Sequence, residues 1–117
     1  MNITLIKNYC LIEPQSPLAK KDFIAIAEKV DPVIESDGVL AGLIIKTKKF
    51  PGWESIGDVI EHFRFVKEHH RLINKVAFVT DTKIADVFPA IASHFVTAEL
   101  RHFDFDDYEK AVNWIEG

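Results

Sequence analysis

The chain has 117 residues, of which 48% are hydrophobic and 27% charged, and its formal net charge is −4. This length and balance predict one domain with one core over residues 1–117, and they exclude a disordered chain. The acidic charge argues against nucleic acid as a partner, because a nucleic-acid binder needs a basic face. No apolar run is long enough to cross a bilayer and no signal peptide is visible, so we expect a cytoplasmic protein without stable membrane insertion.

The single cysteine, Cys10, rules out a disulfide framework within the chain and the usual cysteine-based metal patterns. It lies between Tyr9 and Leu11 in an apolar stretch. This position favours a small buried side chain over a reactive thiol.

The first third of the chain predicts a hairpin, a helix and a buried strand. Residues 2–14 contain two short apolar runs around Lys7-Asn8, which indicates a β-hairpin whose first strand lies antiparallel at a sheet edge. The stretch KKDFIAIAEKV has helical apolar spacing, and Pro32 predicts a kink or an end of that helix. The residues Ser36-Asp37-Gly38 are a signal for the end of a helix. The apolar run VLAGLII then predicts a strand covered on both faces.

The remaining chain alternates helices and strands. An apolar stripe that begins after Ser55 predicts a long helix to about Ile73. KVAFVTD has the pattern of another buried strand, and TKIADVFPAIASHFV that of a helical segment broken or bent at Pro89. TAELRHFDF predicts a strand that ends near Phe105. DDYEKAVNWIEG predicts a closing helix that opens with a capping-box-like pair, Asp106 and Glu109.

The order β-β-α-β-α-β-α-β-α predicts a single α/β domain with a mostly parallel, mixed sheet, an N-terminal hairpin and about four helices. Functional sites in such sheets gather at the carboxyl ends of the strands. In this sequence those ends lead into the loops 46–55, 80–84 and 104–107.

Three residues in these loops are candidates for a site. Ser55 stands at a predicted helix start, where its hydroxyl, or a phosphate added to it, would meet unpaired amides. Trp53 either packs over the end of the sheet or contacts a ligand or partner. Asp81 either caps the next helix, which is the more common role, or contacts a ligand.

The predicted long helix carries a second set of candidates. His62 and His69 share a face with Asp58 and Phe65, but their spacing does not suit a zinc site, so a solvated or interface face is favoured. Phe65 lies off the main apolar stripe, which predicts either a wider core contact or a subunit contact. The second alternative, with an acidic and aromatic surface, predicts a homodimer.

Catalytic patterns are missing from the sequence. Ser55 is flanked by Glu54 and Ile56 rather than by the glycines of a nucleophile elbow, and no glycine-rich phosphate loop occurs. We therefore expect no enzyme activity, no cofactor and no metal. The nine phenylalanines leave two alternatives open, an aromatic core, which is favoured, or an apolar cavity for a small molecule.

Three stretches carry a family resemblance: LIIKTKKFPGWES, INKVAFVTDTK and LRHFDFDDYEKAVNWI. With the helix opening KKDF, they resemble the STAS fold of anti-sigma-factor antagonists and, more closely, the small bacterial SpoIIAA-like domains, whose fold is often compared with lipid-binding CRAL-TRIO domains. STAS antagonists have an Asp-Ser-Ser-Gly motif in which the first serine is phosphorylated. Residues Glu54 to Gly57 align with that motif, so the resemblance makes Ser55 the candidate phospho-acceptor.

The resemblance implies a non-catalytic binding or regulatory module of the STAS/SpoIIAA-like type. Its expected partner is a protein, and the alternative is a carrier or sensor of an apolar or anionic small molecule, as in CRAL-TRIO domains. The candidate residues for ligand or partner binding are Trp53, Glu54, Gly57, Phe65 and Asp81.

Overall fold

The computed structural model of the chain describes residues 1–51, 65, 68–69, 71–83 and 99–117. In chain order, the described elements are β1 (Asn2–Ile6), β2 (Tyr9–Glu13), α1 (Lys20–Asp37), β3 (Leu40–Lys46), β4 (Ile73–Val79), β5 (Glu99–Phe103), a 3₁₀-helix (Phe105–Asp107) and α2 (Tyr108–Glu116). The predicted α/β class is confirmed. The predicted helices after Ser55 and around Pro89 fall largely outside the described residues, within which there are two α-helices.

The strands form one five-stranded sheet in the order β1-β2-β3-β4-β5. β1 and β2 pair antiparallel, whereas β2, β3, β4 and β5 pair parallel with their neighbours. The hairpin turns through Lys7 and Asn8, and Lys7 has a left-handed backbone with φ 51°, as tight two-residue hairpin turns require. These findings confirm the mostly parallel sheet and the antiparallel strand at its edge.

Helix α1 begins and ends at local signals. The Asp22 carboxylate accepts a hydrogen bond from the Ala19 N–H at 2.9 Å, which satisfies a donor at the helix start. At the other end, the Gly38 N–H donates to the Ile34 carbonyl at 2.7 Å, and Gly38 has φ 87°. Glycine suits this conformation because it has no Cβ. The predicted stop signal is confirmed.

Pro32 does not end α1, which continues to Asp37. A proline inside a helix removes one backbone hydrogen bond. The helix nevertheless persists because Val30 and Ile34, on either side of Pro32, are both buried. Packing against the sheet therefore outweighs the local preference of proline.

The two helices cover opposite faces of the sheet. The face under α1 has a core that includes Cys10, Ile12, Phe23, Ile26, Val30, Leu43, Val76 and Phe78. The face under α2 has a second core of Tyr9, Ile44, Ala77, Val79, Ala111 and Ile115. β3 and β4 contribute side chains to both cores. The prediction that VLAGLII is covered on both faces is therefore confirmed.

Helix α2 approaches the sheet very closely at Gly42. A Cβ atom built on Gly42 would lie 2.3 Å from Cδ1 of Ile115, a separation that two carbon atoms cannot tolerate. Glycine in β3 thus sets the depth at which α2 sits on the sheet.

Two predicted boundaries differ from the structure. The long helix does not reach Ile73, because Arg71 and Leu72 form a turn and Ile73 already begins β4. The Leu40 N–H donates to the Leu72 carbonyl at 2.7 Å, so the chain has already joined β3 at that point. Likewise, β5 ends at Phe103 rather than near Phe105.

The predicted pair of Asp106 and Glu109 does not cap α2. Asp106 lies inside the 3₁₀-helix, and the residue preceding α2 is Asp107, which makes no side-chain capping bond. The reason is local, since the Asp107 N–H donates to the Asp104 carbonyl at 2.9 Å and closes a 3₁₀ turn first.

Candidate functional site at the carboxyl edge

Strands β3, β4 and β5 end level with one another. Lys46 is the register partner of Val79, and Val79 is the register partner of Phe103. The loops that follow these strands therefore leave the sheet side by side, as the parallel arrangement predicts. We call the described residues 46–51, 80–83 and 104–108 the carboxyl edge.

Main-chain bonds extend the sheet into this edge. The Thr47 N–H donates to the Val79 carbonyl at 3.0 Å, and the Thr80 N–H donates to the Phe103 carbonyl at 3.0 Å. The Asp81 N–H donates to the Lys48 carbonyl at 3.0 Å. Neighbouring loops are thus fixed to each other beyond the last strand residues.

Two threonines complete these connections. The Thr80 hydroxyl donates to the Lys48 carbonyl at 3.2 Å and accepts from the Thr82 N–H at 3.1 Å. The Thr82 hydroxyl accepts from the Phe50 N–H at 2.7 Å. His102 Nε2 donates to the Thr80 carbonyl at 2.8 Å. Short hydroxyl side chains suit such local bonds to backbone groups.

Asp81 caps the start of the 3₁₀-helix. One of its carboxylate oxygens accepts a hydrogen bond from the Phe105 N–H at 3.2 Å. Phe105 is the first residue of the 3₁₀-helix, and an amide there lacks a partner within the helix. The residues that follow Lys83, where the next helix was predicted, lie outside the described residues.

Lys46 sits against two aromatic rings. Its Nζ lies 5.5 Å from the centre of the Phe105 ring and 4.9 Å from that of Tyr108, within the range of a cation–π contact. Burial of the Tyr108 phenol, together with the nearby Tyr9 to which it is hydrogen-bonded, raises the pKa of Tyr108. The carboxyl edge is thereby joined to α2.

Three other lysines at this edge are exposed: Lys48, Lys49 and Lys83. Within the described part of the chain, none of the three forms an ion pair. The same edge carries four aspartates, Asp81, Asp104, Asp106 and Asp107, so these exposed lysines form a local cationic patch beside carboxylates rather than a uniformly positive surface.

A model of a family described as SpoIIAA-like matches residues 10–116 of the chain. The chain belongs to the SpoIIAA-like family. The match begins in β2 and ends at the last residue of α2, and it therefore includes the whole carboxyl edge. No curated protein and no solved structure matches the chain significantly.

This SpoIIAA-like chain has a second polar cluster, on the α1 side. His69 is only 6% exposed, its Nε2 lies 2.8 Å from an Asp31 carboxylate oxygen, and its Nδ1 lies 2.8 Å from the Phe65 carbonyl oxygen. Each ring nitrogen therefore faces an oxygen that can accept a hydrogen bond. The expectation that His69 faces solvent or an interface is wrong, because the His69 side chain is buried and bonds to Asp31 of α1.

Phe65 belongs to the same cluster. Its ring stacks on His69 with centres 4.1 Å apart and lies 6.2 Å from the Phe23 ring. It packs against the core on the α1 face. Of the two alternatives for Phe65, the wider core contact is the one that the structure shows.

Cys10 is fully buried, as the sequence predicts. Burial raises the pKa of the thiol to about 11, with nearby Lys29 acting in the opposite direction. The thiol is therefore protonated at neutral pH and is a poor nucleophile.

The other candidate residues of the family motif cannot be placed. Trp53, Glu54, Ser55 and Gly57 lie outside the described residues, as does His62. Among the residues that are described, no group of three or more histidine, cysteine or acidic side chains could hold a metal ion. None of the helices in these ranges is long and apolar enough to cross a membrane.

Several residues of the site escaped sequence reasoning, notably Lys46, Thr80, Thr82 and His102. The available signal was the short polar run after each apolar strand, KTKK after β3 and TDTK after β4. A run of this kind locates the edge but does not reveal which side chains bond to which loop.

Proposed function

We propose that this SpoIIAA-like chain is a regulatory protein-interaction module of the cytoplasm, and that its partner docks at the carboxyl edge. One observation carries the proposal: the loops of this edge are fixed to each other by their own hydrogen bonds, while Lys48, Lys49 and Lys83 are exposed and form no ion pair with any described residue. A fixed surface loses little conformational freedom on binding.

The exposed lysines of this edge, Lys48, Lys49 and Lys83, are the proposed contacts for acidic side chains of the partner. Opposite charges raise association rates and suppress unsuitable partners more than they raise affinity. We therefore expect partner binding to weaken as salt concentration increases.

The proposed role is non-enzymatic. Two titratable side chains of this region, those of Asp81 and His102, each bond to a backbone group and not to one another. They therefore do not form the pair of base and nucleophile that acid–base or covalent catalysis requires.

A double charge reversal tests the docking surface. Lys48→Glu together with Lys49→Glu should abolish capture of the partner from an extract of the native host. The matched control is Lys21→Glu with Lys29→Glu, which changes the same charge at exposed positions of α1. Equal capture of the same protein by both double variants would refute docking at the carboxyl edge.

Ser55 is the proposed regulatory residue of this surface. A phosphate there would add negative charge to the loop that follows Lys49, and it would oppose an acidic partner. We expect Ser55→Asp to weaken capture and Ser55→Ala to preserve it. Phosphate should also be found on Ser55 in protein purified from the host, and capture that is equal for both variants would contradict the switch.

The alternative function is a carrier or sensor of an apolar or anionic small molecule. The exposed lysines favour the anionic version, because they would suit a small anion as well as an acidic protein. Native mass spectrometry of protein from its own host distinguishes the two functions. An additional mass that is lost on denaturation supports the carrier, whereas a ligand-free chain that still captures a protein supports the interaction module.

A further inference from the structure

The outer side of β1 is open among the described residues. The Asn8 carbonyl accepts a hydrogen bond from the Ala41 N–H at 2.8 Å, so it points toward β3. Backbone groups alternate in direction along a strand, so those of Tyr9 point toward β1 and bond with its register partner, Ile6. By the same alternation, the N–H and C=O groups of Ile3 and Leu5 point away from the sheet.

The two edges of the sheet differ in how they are protected. β5 carries Glu99, Arg101 and His102, whereas β1, with the sequence NITLI, has neither a charged residue nor a proline. Charges and prolines on edge strands are a common means of preventing unwanted pairing. β1 lacks this protection, and none of the described strands pairs with its outer side.

We infer that β1 pairs antiparallel with β1 of a second copy of this chain, about a two-fold axis through Thr4. In this register Ile3 lies opposite the partner's Leu5, and each exchanges both backbone hydrogen bonds with the other. Thr4 then lies opposite the partner's Thr4 as a non-hydrogen-bonded pair, in which side chains come closest. All backbone groups that β1 directs outward find a partner.

Side-chain exposure fits this register. Leu5 is 40% exposed and is one of two exposed large hydrophobic residues in the described part of the chain. Ile3, on the same face of β1, packs against the core under α1. Pairing would place Leu5 beside the partner's Ile3 and cover it, as cross-strand apolar pairs do.

Charge complementarity favours a second copy over other occupants. Glu13 is the register partner of Asn2, and Asn2 would lie opposite the partner's Ile6, next to the partner's Lys7. The backbones of Glu13 and the partner's Lys7 would thus be about 10 Å apart, with one strand between them. Within its own chain Lys7 Nζ lies 3.9 Å from a Glu116 carboxylate oxygen in an exposed pair, and its side chain is long enough to approach Glu13 of the other copy as well. The two-fold axis generates this attraction twice.

The inference goes beyond the proposed function, because the outward side of β1 faces away from β3, β4 and β5, whose ends form the carboxyl edge, and the dimer does not need a regulatory partner. A single pair of short strands makes a small interface. We therefore expect a dimer that forms in a concentration-dependent way.

Substitutions at Thr4, whose side chain is exposed, test the pairing. The mass of the parent chain in light scattering should rise from 13.3 kDa toward twice that value as concentration increases. Thr4→Lys and Thr4→Glu should each stay monomeric, because like charges face each other across the axis. An equimolar mixture of these two variants should dimerise again, and Thr4→Val should behave like the parent.

Cysteine cross-linking tests the register. Under oxidising conditions Thr4→Cys should form a covalent dimer, whereas Asn2→Cys should not, because each Asn2 faces the partner's Ile6 rather than its own copy. Cys10 is buried and does not compete. A parent chain that stays monomeric at millimolar concentration, a dimer that survives Thr4→Lys, or equal cross-linking of both cysteine variants would overturn the inference.

Discussion

The two faces of the sheet are held by different kinds of contact. Under the 18-residue helix α1, the core consists largely of aliphatic side chains with one phenylalanine from α1 and one from β4. Under the 9-residue helix α2, cationic side chains cover aromatic rings. Lys75 donates to the Trp114 carbonyl at 2.8 Å and lies 5.3 Å from its ring, and Arg101 lies 5.2 Å from the Phe103 ring.

The difference indicates a division of roles. The α1 face buries more apolar surface and should dominate the free energy of unfolding, because burial is the main stabilising term. The α2 face reaches the carboxyl edge through Tyr108 and Lys46, so it should determine how firmly that edge is held. Four substitutions or conditions can test this division.

The largest effect is expected on the α1 face. Ile26 is 4% exposed, and Ile26→Ala should lower the free energy of unfolding by about 3 kcal/mol, as buried large-to-small changes do. Urea denaturation measures the loss. Ile24→Ala, at a position on the same helix that is 48% exposed, is the control and should change stability by less than about 0.5 kcal/mol. Equal losses would contradict the assigned face of α1.

Alkaline pH should weaken the same face through Cys10. The pKa of its thiol is raised from 9.0 to about 11 in the folded chain, so the unfolded chain loses this proton first. Stability from this group is present below pH 9 and is lost as pH rises toward 11, by roughly 2 to 3 kcal/mol.

Urea denaturation of the parent chain and of Cys10→Ala, repeated at several pH values between 9 and 11, measures how the free energy of unfolding changes. The variant should lose less stability than the parent as pH rises. The pKa of Tyr108 is also raised, so this residue too loses stability at alkaline pH. The variant Tyr108→Phe measures its contribution separately from that of Cys10. A Cys10→Ala profile parallel to that of the parent would show that the thiol does not contribute.

On the α2 face, Gly42→Ala should lower stability by about 2 kcal/mol, because the added methyl group overpacks the contact with Ile115. Shortening Ile115 should relieve that clash. In a double-mutant cycle, Gly42→Ala should therefore cost clearly less in an Ile115→Ala background than in the parent. If the losses of the two single variants simply add up in the double variant, the two side chains do not clash, and α2 must instead shift away from β3 to accommodate the added methyl group.

The smallest effect is expected at Lys46. Lys46→Met keeps the aliphatic stem but removes the charge over the Phe105 and Tyr108 rings, and it should cost about 0.5 to 1 kcal/mol. Lys49→Met, at an exposed position, is the matched control and should have no measurable effect on thermal unfolding. If Lys46→Met lowered stability as much as Gly42→Ala does, the carboxyl edge and the core under α2 would have to unfold together as one cooperative unit.

The sequence predicts those parts of the fold that depend on nearby residues. The hairpin at Lys7-Asn8, the helix stop at Gly38 and the strand VLAGLII each follow from local patterns, and each is confirmed. The helix end near Ile73 fails because Leu72 and Ile73 fit a helical stripe as well as a strand. Only the bond from Leu40 to Leu72, between residues distant in the chain, distinguishes the two.

The candidate site was less predictable than the fold, because its side chains are held by contacts between residues that are distant in the chain. The location of the carboxyl edge follows from strand order, but the bond from Asp81 to Phe105 joins residues 24 positions apart. The pairing of His69 with Asp31 joins residues 38 positions apart. No local pattern marks His69 as buried, because its partner comes from α1.

The bonds around Thr80 have a consequence for how related surfaces can diverge. Lys48 and Asp81 connect to each other through backbone atoms, and among the described residues the side chain of Lys48 forms no bond that holds the loops. The side chains at positions 48, 49 and 83 can therefore be exchanged while the loops keep their shape. A frame of this kind lets a family acquire new recognition properties by single substitutions, without refolding the surface that carries them.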